Sequence, residues 1–290
     1  MTSAIIQSRL QRYHLVAPED EWYALKEILQ EIVLQALAEA RFFDVGIFHG
    51  GTALRVFHGL PRFSEDLDFV LRSPDPDFAW SPYGQMVADT CRMYGIVPEF
   101  QERGAGSGNV RALWVKDTSL GRLLELRFTQ DPRRKIVIKL EIDIQPPPGA
   151  ADTLHFHDFP VTFSAAVMDL PSNFAGKCHA LLCREYVKGR DWYDLLWFIR
   201  EGCRVNLPLL AAALHQAGPW AGQRLELTPA WLIHALGQKI AAIDWPDTAR
   251  DVAPFLPPAE RQGLAYWSRA LFMDRLGKLE RLLMSPPTGD

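Results

Sequence analysis

Residues 135–144 read Lys-Ile-Val-Ile-Lys-Leu-Glu-Ile-Asp-Ile. The even positions Ile136, Ile138, Leu140, Ile142 and Ile144 are all aliphatic, while the odd ones include Lys139, Glu141 and Asp143. Successive side chains of a strand point to opposite faces. The alternation therefore predicts a strand with one face in a core and one polar face. Pro146-Pro147-Pro148-Gly149 ends it.

A chain of 290 residues can bury a substantial core in one large or two modest domains. Hydrophobic residues at 48% and charged residues at 23% are ordinary for a globular protein. The net charge of −4 gives no global argument for nucleic-acid binding, so such binding needs a local patch. Cys91, Cys178, Cys183 and Cys203 form no Cys-x-x-Cys pair and have no histidine at metal spacing, which excludes a zinc motif. A reduced, cytoplasmic protein is the expectation. The first residues carry no signal-peptide pattern, and no apolar run approaches the roughly 20 residues of a membrane span.

Residues 43–70, FDVGIFHGGTALRVFHGLPRFSEDLDFV, hold the chemistry. A short apolar run over 43–48 reads as a buried strand ending in His49-Gly50-Gly51-Thr52, and a helix is expected from the glycines to His58. Gly59-Leu60-Pro61 breaks it, and residues 62–71 read as the next strand. In that strand Asp66 and Asp68 share one face, roughly 6–7 Å apart by strand rise, opposite Leu67 and Phe69. Two carboxylates so placed repel unless a cation shares their charge. The Gly-Gly turn supplies free backbone N–H groups at a helix start, where an anion can rest. Thr52 caps that helix or bonds a phosphate oxygen. Arg62 is suited to neutralise phosphate or to orient Asp66.

Gly-Gly-Thr-Ala-Leu-Arg followed by Arg62-x-Ser64-x-Asp66-Leu67-Asp68-Phe69 resembles the AbiEii-type nucleotidyltransferase toxins, members of the polymerase-β-like nucleotidyltransferase superfamily. A second stretch supports the resemblance. Residues 177–195 carry Lys177, Ala180 and Arg184, then Arg190-Asp191-Trp192-Tyr193-Asp194-Leu195, at the family's spacing. Read physically, this is a helix, a glycine break and a second helix with Asp191 as N-cap and Asp194 three residues on, a capping arrangement. The resemblance implies that Lys177 contacts the nucleotide phosphates as a point charge and that Asp191 is essential too.

Phosphoryl transfer calls for hard oxygen ligands around magnesium, and one carboxylate pair does not usually hold two ions. A third acid is expected on a neighbouring strand, and Glu141 or Asp143 supplies it. The resemblance favours Glu141, with Asp143 the alternative. The implied set is Asp66, Asp68 and Glu141 for Mg2+ (Mn2+ a substitute), with Gly50, Gly51, Thr52, Arg62, Ser64 and Lys177 for the NTP. Asp66, Asp68, Glu141, Lys177 and Asp191 are the catalytic candidates.

The coarse organisation is a lead-in over 1–18, a core-facing amphipathic helix from Pro18 to about residue 40, and a helix over 83–94. Strands follow over 97–102, 110–116 and 123–128, with a Gly-Ala-Gly-Ser-Gly turn at 104–108. From about 165 the candidates are helices over 173–190, 191–201, 207–217, 229–243 and 257–283. The fold class is α+β. The resemblance implies a polymerase-β-like mixed sheet flanked by helices over 1–160, and a helical domain over 161–290 that adds Lys177 and Asp191 to the cleft.

The implied activity is transfer of an NMP from an NTP to an acceptor hydroxyl, with release of pyrophosphate. The tRNA 3′ end is the implied acceptor, and the chain would be the toxin of a bacterial toxin–antitoxin pair, with its antitoxin encoded nearby. Arg111, Lys116, Arg122, Arg127, Arg133, Arg134 and Lys135 concentrate positive charge that suits RNA phosphates, or equally a solvated sheet edge. Transfer to a small molecule or protein is the alternative within the enzyme class. A non-catalytic nucleotide or RNA binder is the alternative outside it.

Overall fold

The computed structural model describes residues 2–103, 108–129 and 131–285. The chain forms two compact units, Met1–Pro146 with Asp152–Val167, and Pro147–Ala151 with Met168–Asp290. The glycine-rich turn expected at 104–108 lies largely outside the described residues.

The first unit is built on a seven-stranded mixed sheet in the order β3-β4-β5-β2-β1-β7-β6. Its strands are β1 (Gly46–His49), β2 (Leu67–Leu71), β3 (Glu99–Arg103), β4 (Val110–Asp117), β5 (Ile136–Asp143), β6 (Asp152–His157) and β7 (Phe163–Met168). The alternating segment is β5, and its buried residues alternate as expected. It pairs parallel to β2 and antiparallel to β4. Helices α1 (Thr2–Leu10), α2 (Pro18–Glu39), α3 (Gly50–His58) and α4 (Ser81–Met93) complete the unit. Residues read as a lead-in are thus a helix that sends Ile6 and Leu10 into the core.

Helix α2 is more than amphipathic. Nearly every residue from Asp20 to Leu37 is buried, polar ones included. Buried polar groups need partners, and each of these has one from a different segment. Glu31 pairs with Arg9 of α1 and, at 2.9 Å, with His157 of β6. Glu27 takes Arg55 of α3 at 2.8 Å and the Tyr13 hydroxyl at 2.8 Å. The Tyr94 hydroxyl donates to Gln35 at 2.9 Å.

Glu21 explains why residues 123–128 do not form the expected strand. Its carboxylate accepts the backbone N–H groups of Arg127 (2.6 Å), Phe128 (3.2 Å) and Thr129 (2.6 Å). A side chain thus satisfies amides that a strand would have given to a neighbour. Burial works to raise the Glu21 carboxyl, but the donors of 127–129 prevail and hold it below its ordinary range.

Other boundaries shift for local reasons. The expected strand over 43–48 begins with a short 3-10 turn, Phe42–Asp44, and only Gly46–His49 is extended. Gly46 is required there, since a Cβ would lie 2.4 Å from the Phe42 ring. The expected strand over 62–71 is extended only from Leu67, and residues 63–66 form a loop. Strands β6 and β7 are additions to the expected elements; β7 buries Phe163, Ala165 and Val167 in the core, whereas β6 has no apolar inner face. On β6 the apolar positions, Leu154 and Phe156, are the exposed ones, at 63% and 70%.

The second unit contains α5 (Leu170–Cys183), α6 (Gly189–Arg200), α7 (Leu207–Gln216), α8 (Pro229–Ala241), α9 (Trp245–Val252), α10 (Pro258–Arg261) and α11 (Arg269–Met284). Phe174 and Phe198 stack at 4.4 Å between α5 and α6, and Trp245 stacks on Phe272 at 3.8 Å. The single helix expected over 257–283 is broken by a 3-10 segment, Gln262–Tyr266, and restarts where the Ser268 hydroxyl accepts the Leu271 N–H. Helix α9 is an addition, capped by Asp244. Among the described residues no helix is long and apolar enough to cross a membrane.

Replacing Glu21 by Gln tests the 127–129 clamp. A carboxylate held low contributes stability above its unfolded pKa and loses it as pH falls. Urea denaturation at neutral pH is expected to show Glu21→Gln less stable by about 1.5–3 kcal/mol. The difference should shrink as pH falls through and below about 4.3, the ordinary glutamate range.

Candidate active site

The glycine turn and the acid-bearing strand pack directly on each other. Gly50 opens α3 with φ +77°, a conformation that L side chains rarely adopt, and a Cβ there would lie 2.5 Å from Asp68 Oδ2. A Cβ on Gly51 would meet the Arg62 guanidinium at 2.6 Å and Ser64 Oγ at 2.8 Å. Both glycines are therefore needed for close approach. No side chain caps α3, so its first amides keep the unpaired character of a helix start.

Thr52 is not the helix cap. It lies within α3, fully buried, and its hydroxyl donates to the Asp66 carbonyl at 2.5 Å. That bond ties the turn to the loop carrying the first acid. Arg62 is 2% exposed, donates to the Phe63 carbonyl at 3.0 Å and stands under Gly51. Arg55 has a structural use. It binds Glu27, and it reaches the carbonyls of Leu60 and Pro61 at 3.2 and 2.6 Å.

Asp66 sits in the loop just before β2 and Asp68 within it. Paired residues of neighbouring strands share a face. The register places His49 of β1 and Glu141 of β5 on either side of Asp68. Asp143 stands one step along, beside Val70. The Asp143 carboxylate accepts the Gln145 N–H at 2.9 Å. Burial raises its carboxyl against the lowering effects of that bond and of His49. Glu141 pairs with Lys139 at 2.7 Å. The apolar residues Leu67, Phe69, Leu140 and Ile142 occupy the other face and belong to the core.

Asp66 records the charge concentration. Burial first, then Asp68, Glu65 and Glu141, push its carboxyl above the ordinary range, and Lys26 alone works against them. Lys26 lies on α2 and pairs with Glu65 at 3.3 Å, while Gln30 one turn on donates to the Ser64 carbonyl at 3.3 Å. These two residues position the acid loop. Their sequence signal is weak, a polar i, i+4 pair among the many polar residues of α2. The donor set is hard oxygen in a field that favours a cation, which fits magnesium in charge and chemistry. Among the described residues no three His, Cys, Asp or Glu side chains are gathered tightly enough to enclose an ion.

The second motif forms its own cluster within the helical unit. Lys177 of α5 reaches Asp191 at 3.3 Å and Asp194 at 2.7 Å, and Arg184 reaches Asp191 at 2.5 Å. Asp191 and Asp194 are 4% and 0% exposed. The capping arrangement is overturned. Lys188 is the N-cap residue of α6, Asp191 lies in its first turn, and both acids serve the cations. A buried carboxylate gains more from a lysine and an arginine than from backbone amides alone.

A model of a protein family, the AbiEii nucleotidyltransferase toxins of type IV toxin–antitoxin systems, matches residues 32–272. No curated protein matches the sequence. Two solved structures are distantly similar. JHP933 from Helicobacter pylori is 17% identical, covering 89% of this chain and 88% of that one, with a TM-score of 0.47. An inferred nucleotidyltransferase from H. pylori is 17% identical over 88% of this chain and 91% of that one, with a TM-score of 0.48. With both motifs inside the matched span, the chain belongs to the AbiEii nucleotidyltransferase toxin family.

Proposed function

We propose that the protein transfers an NMP from an NTP to the 3′-terminal hydroxyl of tRNA and acts as a toxin whose cognate antitoxin is encoded nearby. The observation that supports this most is the packing of Gly50 and Gly51 on Asp68, Arg62 and Ser64, with Glu141 in register beside Asp68. Amides for a triphosphate and carboxylates for a cation then meet on the central strands of one sheet.

In this reading Asp66, Asp68 and Glu141 would hold Mg2+, or Mn2+, with Glu141 preferred to Asp143 because it adjoins Asp68 directly. The bound ion would neutralise phosphate charge and ease ionisation of the acceptor hydroxyl. The amides of Gly50, Gly51 and Thr52, with Arg62 and Ser64, hold the triphosphate. Lys177, which pairs with Asp191 and Asp194, would contribute a point charge to the phosphates, as the family resemblance implies. A carboxylate of the acid set accepts the hydroxyl proton. The acceptor oxygen bonds to the α-phosphorus, the bond from that phosphorus to its bridging oxygen breaks, and pyrophosphate leaves.

An RNA acceptor is supported by the neighbouring rows of the same sheet face. Trp114 lies opposite Lys139, two residues from Glu141, and Lys116 follows Trp114 by two. An aromatic ring between two lysines suits a base and its flanking phosphates.

The central experiment combines the protein, magnesium, labelled NTPs and total tRNA. Labelled tRNA is expected with the wild type and none with Asp68→Ala. Full labelling by the variant would refute the metal assignment, and labelling of a metabolite or polypeptide instead would redirect the acceptor. Asp66→Asn is expected to abolish transfer while raising the melting temperature in metal-free buffer. A carboxyl held above its unfolded pKa loses folding stability as pH rises through that value, and the amide removes this loss. Trp114→Ala is expected to raise KM for tRNA about tenfold with KM for NTP unchanged, from the loss of one stacked base.

A further inference from the structure

The start of α6 gathers the cations Lys177, Arg184, Lys188 and Arg190, and the acids beside them are already engaged. Asp191 is shared by Lys177 and Arg184, Asp194 serves Lys177, and the Asp251 carboxylate accepts the Gly189 N–H at 2.7 Å. Lys188 stands among these groups, half-buried. Burial first, then Arg190, Arg184 and Lys177, hold its ammonium below the ordinary lysine range, with Asp191 acting the other way. The helix end beside it is itself the positive pole of α6. A cation in that position is disfavoured unless an anion joins it.

The space for an anion is present. A cavity of about 240 Å³ is lined by Arg184, Lys188 and Lys239, with Asp191 and the exposed Glu185 as its acids and Tyr186 among its lining residues. Lys239 comes from α8 and directs its ammonium to the Arg184 carbonyl at 3.5 Å. Tyr186 is 66% exposed, with the Arg184 guanidinium 5.8 Å from its ring centroid.

We propose that this cavity binds a phosphate group, with Lys188 and Lys239 as its principal contacts. The residues supply three cationic donors and an exposed ring, the chemistry that takes the phosphate of a nucleotide, free or within RNA. The site rests on the transferase reading and extends it by a phosphate contact at Lys188 and Lys239, to which that reading gives no role, and its binding is measurable without turnover.

The test uses the full chain as wild type, Lys188→Gln, Lys239→Gln and the double variant in phosphate-free buffer. Calorimetry measures inorganic tripolyphosphate, and anisotropy measures a labelled single-stranded RNA without NTP. Each single variant is expected to bind one or both probes about tenfold more weakly, the loss of one charged hydrogen bond. Lys188→Gln is expected to melt above the wild type without ligand. Weakening of tripolyphosphate alone identifies the NTP as the source, and weakening of RNA alone identifies the acceptor backbone. Wild-type affinity of the double variant for both probes overturns the proposal. Asp68→Ala separates this site from the transferase reading, because it is expected to lose transfer and keep phosphate binding here. Phosphate binding that depends on Lys188 in a wild type without transfer on any acceptor would sustain this site and refute the enzyme.

Discussion

Glu21, Lys26, Glu27, Gln30, Glu31 and Gln35 all project from one helix, α2, that is buried almost throughout. Together they reach α1, α3, the acid loop, residues 127–129, Tyr94 and β6, with Lys26 and Gln30 both holding the acid loop. A purely apolar helix would supply the same hydrophobic burial without fixing where those segments stop. Unpaired buried polar groups are costly, so every misplaced neighbour carries a penalty. The helix thereby specifies positions as well as cohesion, and the loop that carries Asp66 is one of the positions it specifies.

The strongest sequence patterns were those where one physical requirement acts alone. Strand β5 alternates because a single sheet has one wet and one dry face, and helix α2 was visible from its aliphatic spacing. Residues 123–128 defy their local pattern because Glu21 takes the amides of Arg127 and Phe128 and Gln7 takes that of Glu125, contacts that no local window contains. Strand β6 was hidden because its apolar side chains face outward. Phe42 shortened β1 by packing against Gly46, again through an effect of the folded state.

The site was legible in its residue types and less so in its geometry. The Gly-Gly turn and the Asp-x-Asp pair stood out because close approach and charge concentration each demand a narrow choice of side chain. Their relation to each other was not readable, since the Thr52–Asp66 bond and the placement of Lys26 depend on tertiary contacts. Asp191 shows the opposite error. Its spacing from Asp194 satisfied a local rule for helix starts, while the residues that claim both acids, Lys177 and Arg184, lie on the preceding helix and loop. Local rules describe what a side chain can do, and partners decide what it does.

The contact between Gly50 and Asp68 reaches beyond catalysis into how such a chain can vary over time. While a carboxylate occupies position 68, no side chain fits at position 50. Should position 68 shrink to a residue such as alanine, the tightest part of that demand, the 2.5 Å approach to Oδ2, disappears, while the 3.1 Å approach to the Cβ and the backbone demand of φ +77° remain. The two positions are thus bound together in heredity, with the acid guarding the glycine. In a lineage whose members abandon the chemistry, residues tolerant of a left-handed backbone, such as asparagine, would begin to appear at the turn. The turn would then keep a written trace of whether the carboxylate is still in use.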